Sequence, residues 1–164
     1  MIYIILKYSS ILIIIATIVI IGTQIYNARL WVDCYPKNIR KAIPKKTKKE
    51  SQLKFLLGSP FMIAIIFMPI LAAIETYKLP QNNVLDIFLV VFGVEFLFNL
   101  YDLLVLDWLI FCFITPKYQI LKGSEHLLHE YKNYKFHFIG FLKGIILGLI
   151  FSGIVTLIMY LINY

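Results

Sequence analysis

Charged residues are scarce in this chain of 164 residues. Lys, Arg, Asp and Glu together make up 15% of it, against about 25% in ordinary soluble domains, whereas apolar residues make up 60%. A chain of this size has too little interior to bury such an excess, because a small domain leaves much of its surface exposed. The composition therefore excludes an ordinary soluble globular protein and predicts a chain that folds in lipid.

Cysteine and the common catalytic motifs are also scarce or missing. The two cysteines, Cys34 and Cys112, have no CxxC partner and no histidine within a few residues. We therefore predict that they form no disulfide and serve as small apolar packing residues. The sequence contains no Gly-rich phosphate loop, no GxSxG and no HExxH. No cofactor and no metal are predicted.

Long runs without charge predict the membrane spans. Runs of 20 or 21 uncharged residues follow Lys7, Lys54 and Lys143, and a helix needs about 20 apolar residues to cross a bilayer. We expect the first run to stay in the mature protein, because it is long for a signal sequence and no small-residue cleavage pattern follows it. The predicted fold is an all-α, four-helix transmembrane bundle forming one domain, 1–164, with spans at 8–28, 55–77, 84–114 and 138–162.

The basic residues predict the orientation of these spans. All of the 16 Lys and Arg residues except Lys7 and Lys78 fall in or beside the connections that follow the first and third spans. The positive-inside rule then places both connections in the cytoplasm. The chain is predicted to be a multi-pass protein of the cell membrane with both termini extracytoplasmic. Nucleic acid is not predicted as a partner. Anionic lipid headgroups are predicted to bind six basic residues of the first connection: Arg40, Lys41, Lys45, Lys46, Lys48 and Lys49.

The third span carries acidic residues at bilayer depth. Glu95, Asn99 and Asp102 are spaced i, i+4 and i+7, so an α-helix presents them on one face as a polar stripe. At 1.5 Å per residue, Glu95 lies roughly 16 Å from the start of the helix, near the bilayer centre. Carboxylates at that depth face an interior, a partner or a water-filled cavity. The stripe is interpreted either as a proton or cation site or as a polar network that fixes helix packing.

Asp107 follows Asp102 by five residues, which an α-helix rotates by about 140°. We therefore expect Asp107 to point away from the polar stripe, where it either contacts water or pairs with Lys143. Its neighbour Trp108 is typical of an aromatic anchor at the membrane interface.

The fourth span has small residues at every fourth position. This GxxxG-type register lets a neighbouring helix approach closely, and we favour a neighbour in the same chain over a second copy. In the second span, Pro69 is predicted to kink the helix beside the polar stripe. The small residues are Gly140, Gly144, Gly148 and Ser152.

The second basic connection predicts a short interfacial helix that begins after Ser124 as N-cap. His126 and Glu130 share one face of it, and His129 and His137 are close in sequence. The favoured interpretation is a set of surface histidines on an amphipathic helix. An alternative is an acid–base site at the inner interface, formed with residues of the third and fourth spans. Its possible members are Asp107, His126, His129, His137 and Lys143, with Asp102 beside them.

One segment carries a family resemblance. It runs from Asn99-Leu-Tyr-Asp102 through Asp107-Trp108 to Thr115-Pro-Lys, Gly123-Ser-Glu and Tyr134–Gly144. Over about the C-terminal half, the chain resembles a group of small, uncharacterised bacterial four-helix integral membrane proteins. The resemblance implies the fold and a location in the bacterial inner membrane, and it carries no catalytic residue across.

Two classes of function follow from these patterns. The favoured one is a non-enzymatic membrane component: a transport or permeation subunit that uses the polar stripe, or an accessory subunit that joins a homo-oligomer or larger complex through its glycine face. The alternative is a membrane-embedded enzyme that acts on a lipid or lipid-linked substrate at the cytoplasmic interface. The enzyme requires the inner end of the third span and the histidine segment to meet in space, whereas transport requires the polar stripe to face the bundle interior.

Overall fold

The computed structural model describes residues 1–80 and 83–163, and within these ranges the chain is almost wholly helical, with no strand. Three short 3-10 helices, at Ala28–Cys34, Lys117–Gln119 and Glu125–Leu127, lie in the connections. The remaining elements, in chain order, are α1 (Ile2–Asn27), α2 (Lys37–Ala42), α3 (Lys48–Tyr77), α4 (Val84–Tyr101), a π-helical segment (Asp102–Ile114), α5 (Leu128–Tyr131) and α6 (Tyr134–Asn163).

Four helical stretches are long and apolar enough to cross a membrane, which confirms the predicted all-helical class. The stretch Val84–Ile114 begins where it was predicted to begin, and the other three begin earlier than predicted; α3, for example, begins seven residues before position 55. A charged residue does not stop a helix, whose start is fixed instead by the group that caps its first N–H donors. The stretches are Ile2–Cys34, Lys48–Tyr77, Val84–Ile114 and Tyr134–Ile162.

A capping box explains where α3 begins. The Thr47 hydroxyl accepts a hydrogen bond from the Glu50 amide (3.2 Å), and the Glu50 carboxylate accepts one from the Thr47 amide (2.7 Å). The spacing Thr-x-x-Glu is readable in the sequence. Glu50 Oε1 also accepts a hydrogen bond from Arg29 Nε at 2.6 Å. The same carboxylate therefore connects the start of α3 to the end of the first span.

We expect Thr47→Ala to lower the free energy of unfolding by about 1 kcal/mol, because one amide at the start of α3 loses its acceptor. Chemical unfolding in detergent micelles measures the change. Ser51→Ala is the matched control, since Ser51 is exposed on the first turns of the same helix and surface changes of this kind stay within about 0.5 kcal/mol. Equal stabilities of the two variants would contradict the capping role.

The spans pack as a core of three helices with α6 on its side. Helix α1 packs against α3 and α4, whereas α6 packs mainly against α4. Leu12, Val90 and Val94 are fully buried at the centre. Helix α3 continues through Pro60 and through the buried Pro69. The bundle interior is thus filled by apolar side chains over most of its length.

The third span changes its winding halfway. Helix α4 ends at Tyr101 and continues without a break as 13 residues of π-helix, in which hydrogen bonds join residues five apart. Thr115 ends the segment with a φ of 48°, and its amide donates to the Ile110 carbonyl at 3.0 Å. The expected single straight α-helix over 84–114 is therefore wrong for its second half.

The two basic connections fold against each other at one end of the bundle, and we call residues 28–47 and 116–133 the basic cap. Tyr35 of the first connection meets Tyr131 of the second edge to face, with ring centroids 5.7 Å apart. The Tyr131 hydroxyl accepts from the Leu121 amide at 2.9 Å and lies 2.6 Å from Ser124 Oγ. At the opposite end of the bundle, Lys7 pairs with Glu75 at 2.7 Å.

The predicted short interfacial helix in the second connection is not confirmed, because this segment forms only a 3-10 turn followed by the single turn α5. Ser124 does not cap it, because its buried hydroxyl donates to the Leu121 carbonyl at 2.7 Å. Leu127 packs against the apolar core of the basic cap, whereas Leu128 is exposed. The position of this segment at a membrane surface stays a prediction.

Candidate functional site

A cavity of about 450 Å³ lies between the basic cap and the adjoining ends of the spans. Its walls come from the end of α1, both basic connections, the end of α4, the π segment and the first turns of α6, so six parts of the chain meet there. The polar or reactive side chains that line it are Gln24, Cys34, Tyr35, Asn99, Asp102, Asp107, Gln119, Tyr131, His137 and Lys143.

Two of these residues form a close pair. His137 Nδ1 lies 2.9 Å from Asp107 Oδ1, and the side chains are only 14% and 19% exposed. Asp107 is therefore neither water-facing nor paired with Lys143, as the sequence suggested. Lys143 is exposed and lines the cavity, and no ion pair joins it to another residue of the described ranges.

The π segment explains why Asp107 reaches the cavity. In an α-helix Asp107 would point about 140° away from Asp102. In a π-helix, residues five apart lie nearly one above the other, because the backbone hydrogen bond runs between i and i+5. Asp102 and Asp107 therefore share one wall of the cavity, and the prediction that Asp107 points away from the polar stripe is wrong.

The polar stripe faces α6, and only part of it reaches the cavity. Asn99 and Asp102 line the cavity, and Asn99 Nδ2 donates to the Phe141 carbonyl at 3.0 Å. Asp102 makes no hydrogen bond or ion pair within the described part of the chain, although it lies close enough to Asp107 and His137 to interact electrostatically. Glu95 is half-buried, is absent from the cavity lining and likewise has no partner in the described ranges.

The small residues of α6 make room for this stripe within the same chain. A Cβ on Gly144 would lie 2.5 Å from Asn99 Oδ1, and one on Gly148 would lie 3.5 Å from Glu95 Cβ. Ser152 is fully buried, with its hydroxyl donating to the Gly148 carbonyl at 2.7 Å. Gly140 instead lines the cavity, with nothing within 4 Å of an added Cβ. The close neighbour of the glycine stripe is therefore α4.

Two of the predicted histidines lie away from the cavity. His126 and His129 are exposed on the basic cap, and His129 Nε2 lies 3.6 Å from Glu130. The Glu130 carboxylate accepts a hydrogen bond from the Asn38 amide group. Of the three histidines, the structure thus brings only His137 together with the acidic residues of the third span.

Trp108 packs inward against α6. Its ring lies 5.8 Å from that of Tyr134 and 6.5 Å from that of Phe138, centroid to centroid. The indole N–H is buried without a hydrogen bond in the described ranges. This differs from the water-facing N–H expected of an interface anchor.

No sequence pattern predicted the cavity residues of the first connection. Tyr35 is buried, and its hydroxyl lies 3.1 Å from its two acceptors, Gln24 Oε1 and the Gln119 carbonyl oxygen. Burial raises the pKa of the Tyr35 phenol, so Tyr35 acts as a neutral hydrogen-bonding group. Cys34 is an exposed free thiol that lines the cavity, which contradicts the predicted packing role, whereas Cys112 is buried as expected. No local pattern at 34–36 indicates these roles, which depend on how the cap folds.

The arrangement offers acid–base groups. Within residues 1–80 and 83–163, no group of three or more His, Cys, Asp or Glu has a metal-binding arrangement. His137 has one ring nitrogen beside a carboxylate, and its Nε2 has no hydrogen bond in those ranges. An imidazole held at one nitrogen and free at the other is the usual arrangement of a general base.

Fold and site together define a helical chain with four stretches able to cross a membrane and a polar, acid–base cavity at its basic end. Comparison with known proteins gives no matching family model and no significant similarity to a curated protein or a solved structure.

Proposed function

We propose that this is a multi-pass protein of a bacterial inner membrane, related to the small four-helix group that it resembles, with the basic cap in the cytoplasm and both termini outside. The proposal is supported by the position of all Lys and Arg residues except Lys7 and Lys78 in or beside the two cap connections, which fold together at one end. The positive-inside rule makes that end cytoplasmic.

We further propose that the cavity is the active site of an enzyme that acts on the polar part of a lipid or lipid-linked substrate. The single observation that carries this proposal is the contact of 2.9 Å between His137 and Asp107 on the wall of a cavity that Asp102 and Lys143 also line. The distance lies within the range of about 2.6–3.2 Å over which catalytic groups exchange protons. A site at the end of the spans meets the headgroup of a lipid whose chains remain in the bilayer.

Each residue has a defined role in this proposal. His137 Nε2 takes the proton of a water molecule or a substrate hydroxyl while the oxygen of that group forms a bond to the electrophilic atom of the substrate, and Asp107 stabilises the imidazolium that forms. The bond between that atom and the leaving group then breaks, and the proton passes from Nε2 to the leaving group, which restores the neutral imidazole. Asp102, which has no partner in the described ranges, binds a hydroxyl or amine of the substrate, and Lys143 offers positive charge for a phosphate.

The experiment is a comparison of lipid extracts from bacterial membranes with and without the native chain. Mass spectrometry is expected to find at least one lipid or lipid-linked species whose abundance depends on the chain and on His137. Identical extracts from membranes with the native chain, with His137→Ala and with no chain would contradict the enzyme proposal.

A second candidate function, transport of protons or small cations, is favoured by Glu95. This half-buried carboxylate faces Gly148 of α6 and has no partner in the described ranges, about one turn deeper in the bundle than the cavity residue Asn99. Carboxylates at that depth commonly belong to ion pathways. A role as an accessory subunit would need a docking surface other than the glycine stripe at Gly144 and Gly148, because α4 already covers it.

If transport is the function, we expect the double variant Glu95→Gln, Asp102→Asn to abolish proton or cation flux in proteoliposomes. Both substitutions keep side-chain size and hydrogen-bonding capacity while removing the exchangeable carboxyl groups. The matched control is Asp86→Asn, which alters a half-buried carboxylate in the capping box of α4. Absence of flux with the native chain would remove the transport candidate and leave the enzyme proposal intact.

A further inference from the structure

A second concavity lies on the outside of the bundle, away from the acid–base cavity. It is an open groove of about 490 Å³ between α1 and the first turns of α3. Its lining is apolar except for Thr23 and the Tyr26 hydroxyl. It follows α1 from Ile18 to Tyr26, a distance of about 12 Å at a rise of 1.5 Å per residue. The lining residues are Ile18, Val19, Gly22, Thr23, Tyr26, Leu53 and Leu57.

Gly22 forms the floor of the groove because it has no side chain. Gly22 lies between Ile18 and Tyr26, whose side chains are both 68% exposed, and a Cβ on Gly22 would meet nothing within 4 Å. The α1 and α3 walls therefore leave a slot that the chain itself does not fill. Its apolar walls suit a hydrocarbon chain.

One end of the groove is positively charged. Lys49 precedes Leu53 by one turn of α3 and Leu57 by two turns, so the three residues share a face of the helix. Lys49 is exposed and has no ion pair in the described ranges. The basic neighbours Arg29 and Lys54 are already paired, with Glu50 and Asp33 respectively. Lys49 is thus the cation available at this end of the groove.

An aromatic residue marks the same end. Trp31 Nε1 donates to the hydroxyl of the groove residue Thr23 at 2.7 Å, and Lys54 Nζ lies 5.1 Å from the Trp31 ring centroid. Indole rings prefer the depth of lipid headgroups, where one edge is apolar and the other polar. Trp31 and Lys49 together indicate that lipid headgroups would lie at this end of the groove, next to Gly22 on the side of the basic cap.

We infer that this groove binds one anionic phospholipid, with an acyl chain on Gly22 between α1 and α3 and the phosphate at Lys49. Charge complementarity selects an anionic over a zwitterionic headgroup, because the cation at Lys49 is otherwise unbalanced. The site is independent of the acid–base cavity, so it stands whether or not the chain is an enzyme.

Trp31 provides the test, because it touches the groove and Trp108 is the only other tryptophan. In a Trp108→Phe background, brominated phosphatidylglycerol or brominated phosphatidylcholine is titrated into phosphatidylcholine vesicles that contain the protein, and Trp31 fluorescence is recorded. We expect phosphatidylglycerol to reach half-maximal quenching at a several-fold lower mole fraction. Native mass spectrometry of the unsubstituted chain, counting retained phosphatidylglycerol, gives the same comparison without altering Trp108.

Two pairs of variants decide the result. Lys49→Gln should weaken phosphatidylglycerol binding by about fivefold, which corresponds to roughly 1 kcal/mol per basic residue at 1.4 kcal/mol per tenfold, whereas Lys135→Gln, which alters an exposed lysine at the start of α6, should not. Gly22→Leu should fill the groove and reduce quenching by both lipids, whereas Gly153→Leu, in open space on α6, should not.

Three results would overturn the inference. The first is equal quenching by the two lipids in the native chain. The second is quenching that Gly22→Leu leaves unchanged. The third is a change of oligomeric mass in Gly22→Leu without a change in lipid binding, because the occupant of the groove would then be a second copy of the chain.

Discussion

Replacing His137 with alanine is expected to lower the rate of the proposed reaction by about 10² to 10⁴-fold, the usual contribution of a positioned general base. The loss should appear in the rate constant of the chemical step, since in the proposed mechanism His137 provides a proton acceptor, whereas Asp102 and Lys143 bind the substrate. The measurement is the rate of formation of the His137-dependent lipid product in vesicles containing purified protein.

The matched control is His129→Ala. His129 lies on the basic cap, is exposed, and does not line the cavity, so its loss should leave the rate within about twofold of the native value, in line with the small effects of surface changes. Asp107→Asn should also slow the reaction, because the amide cannot stabilise an imidazolium as a carboxylate does. Equal rates for His137→Ala and the native chain, with both proteins folded, would show that the pair is only structural.

The second large effect is expected from Gly144→Ala, which should lower the free energy of unfolding by about 1–3 kcal/mol, the usual cost of overpacking a close contact. The new Cβ would lie 2.5 Å from Asn99 Oδ1 and 2.8 Å from Asn99 Cγ. The amide must therefore move, and it then loses its hydrogen bond to the Phe141 carbonyl. Chemical unfolding in detergent micelles measures the difference.

Two further variants separate this contact from a general effect of alanine in α6. Gly153→Ala adds the same atom in open space and should be neutral or stabilising by a few tenths of a kcal/mol, since alanine is the better helix former. In Asn99→Ala, Gly144→Ala, the added methyl group has room, so the two costs should not add. Additive costs in this double-mutant cycle would mean that Asn99 and Gly144 are not in contact.

Both predictions depend on the same helix pair. The glycine stripe lets α6 approach α4 closely enough for Asn99 to reach the Phe141 carbonyl, and the same approach brings His137, at the start of α6, to Asp107 of the π segment. A change that separates α6 from α4 should therefore reduce stability and lengthen the contact between His137 and Asp107. Gly144→Ala offers the test, because it lies two turns from His137.

The sequence by itself determined the parts of this protein that follow from local physical chemistry. Apolar runs as long as a bilayer crossing, three of them uncharged, leave few alternatives to membrane-length helices, and the four stretches are helical as predicted. Capping residues fix where helices begin, as at Thr47 and Asn83. The four-residue register of small residues in α6 predicted a close helix contact, because removing side-chain bulk along one face is itself what permits the approach.

Only the tertiary structure decided which residues form the site. The α-helical period placed Asp107 on the wrong face, since nothing in the local sequence reveals that the third span changes to π winding after Tyr101. The pairing of Asp107 with His137 and the entry of Cys34 and Tyr35 into the cavity join segments far apart in the sequence. Such contacts depend on how the basic cap folds onto the bundle, and this is fixed by packing between elements rather than by the preferences of any one of them.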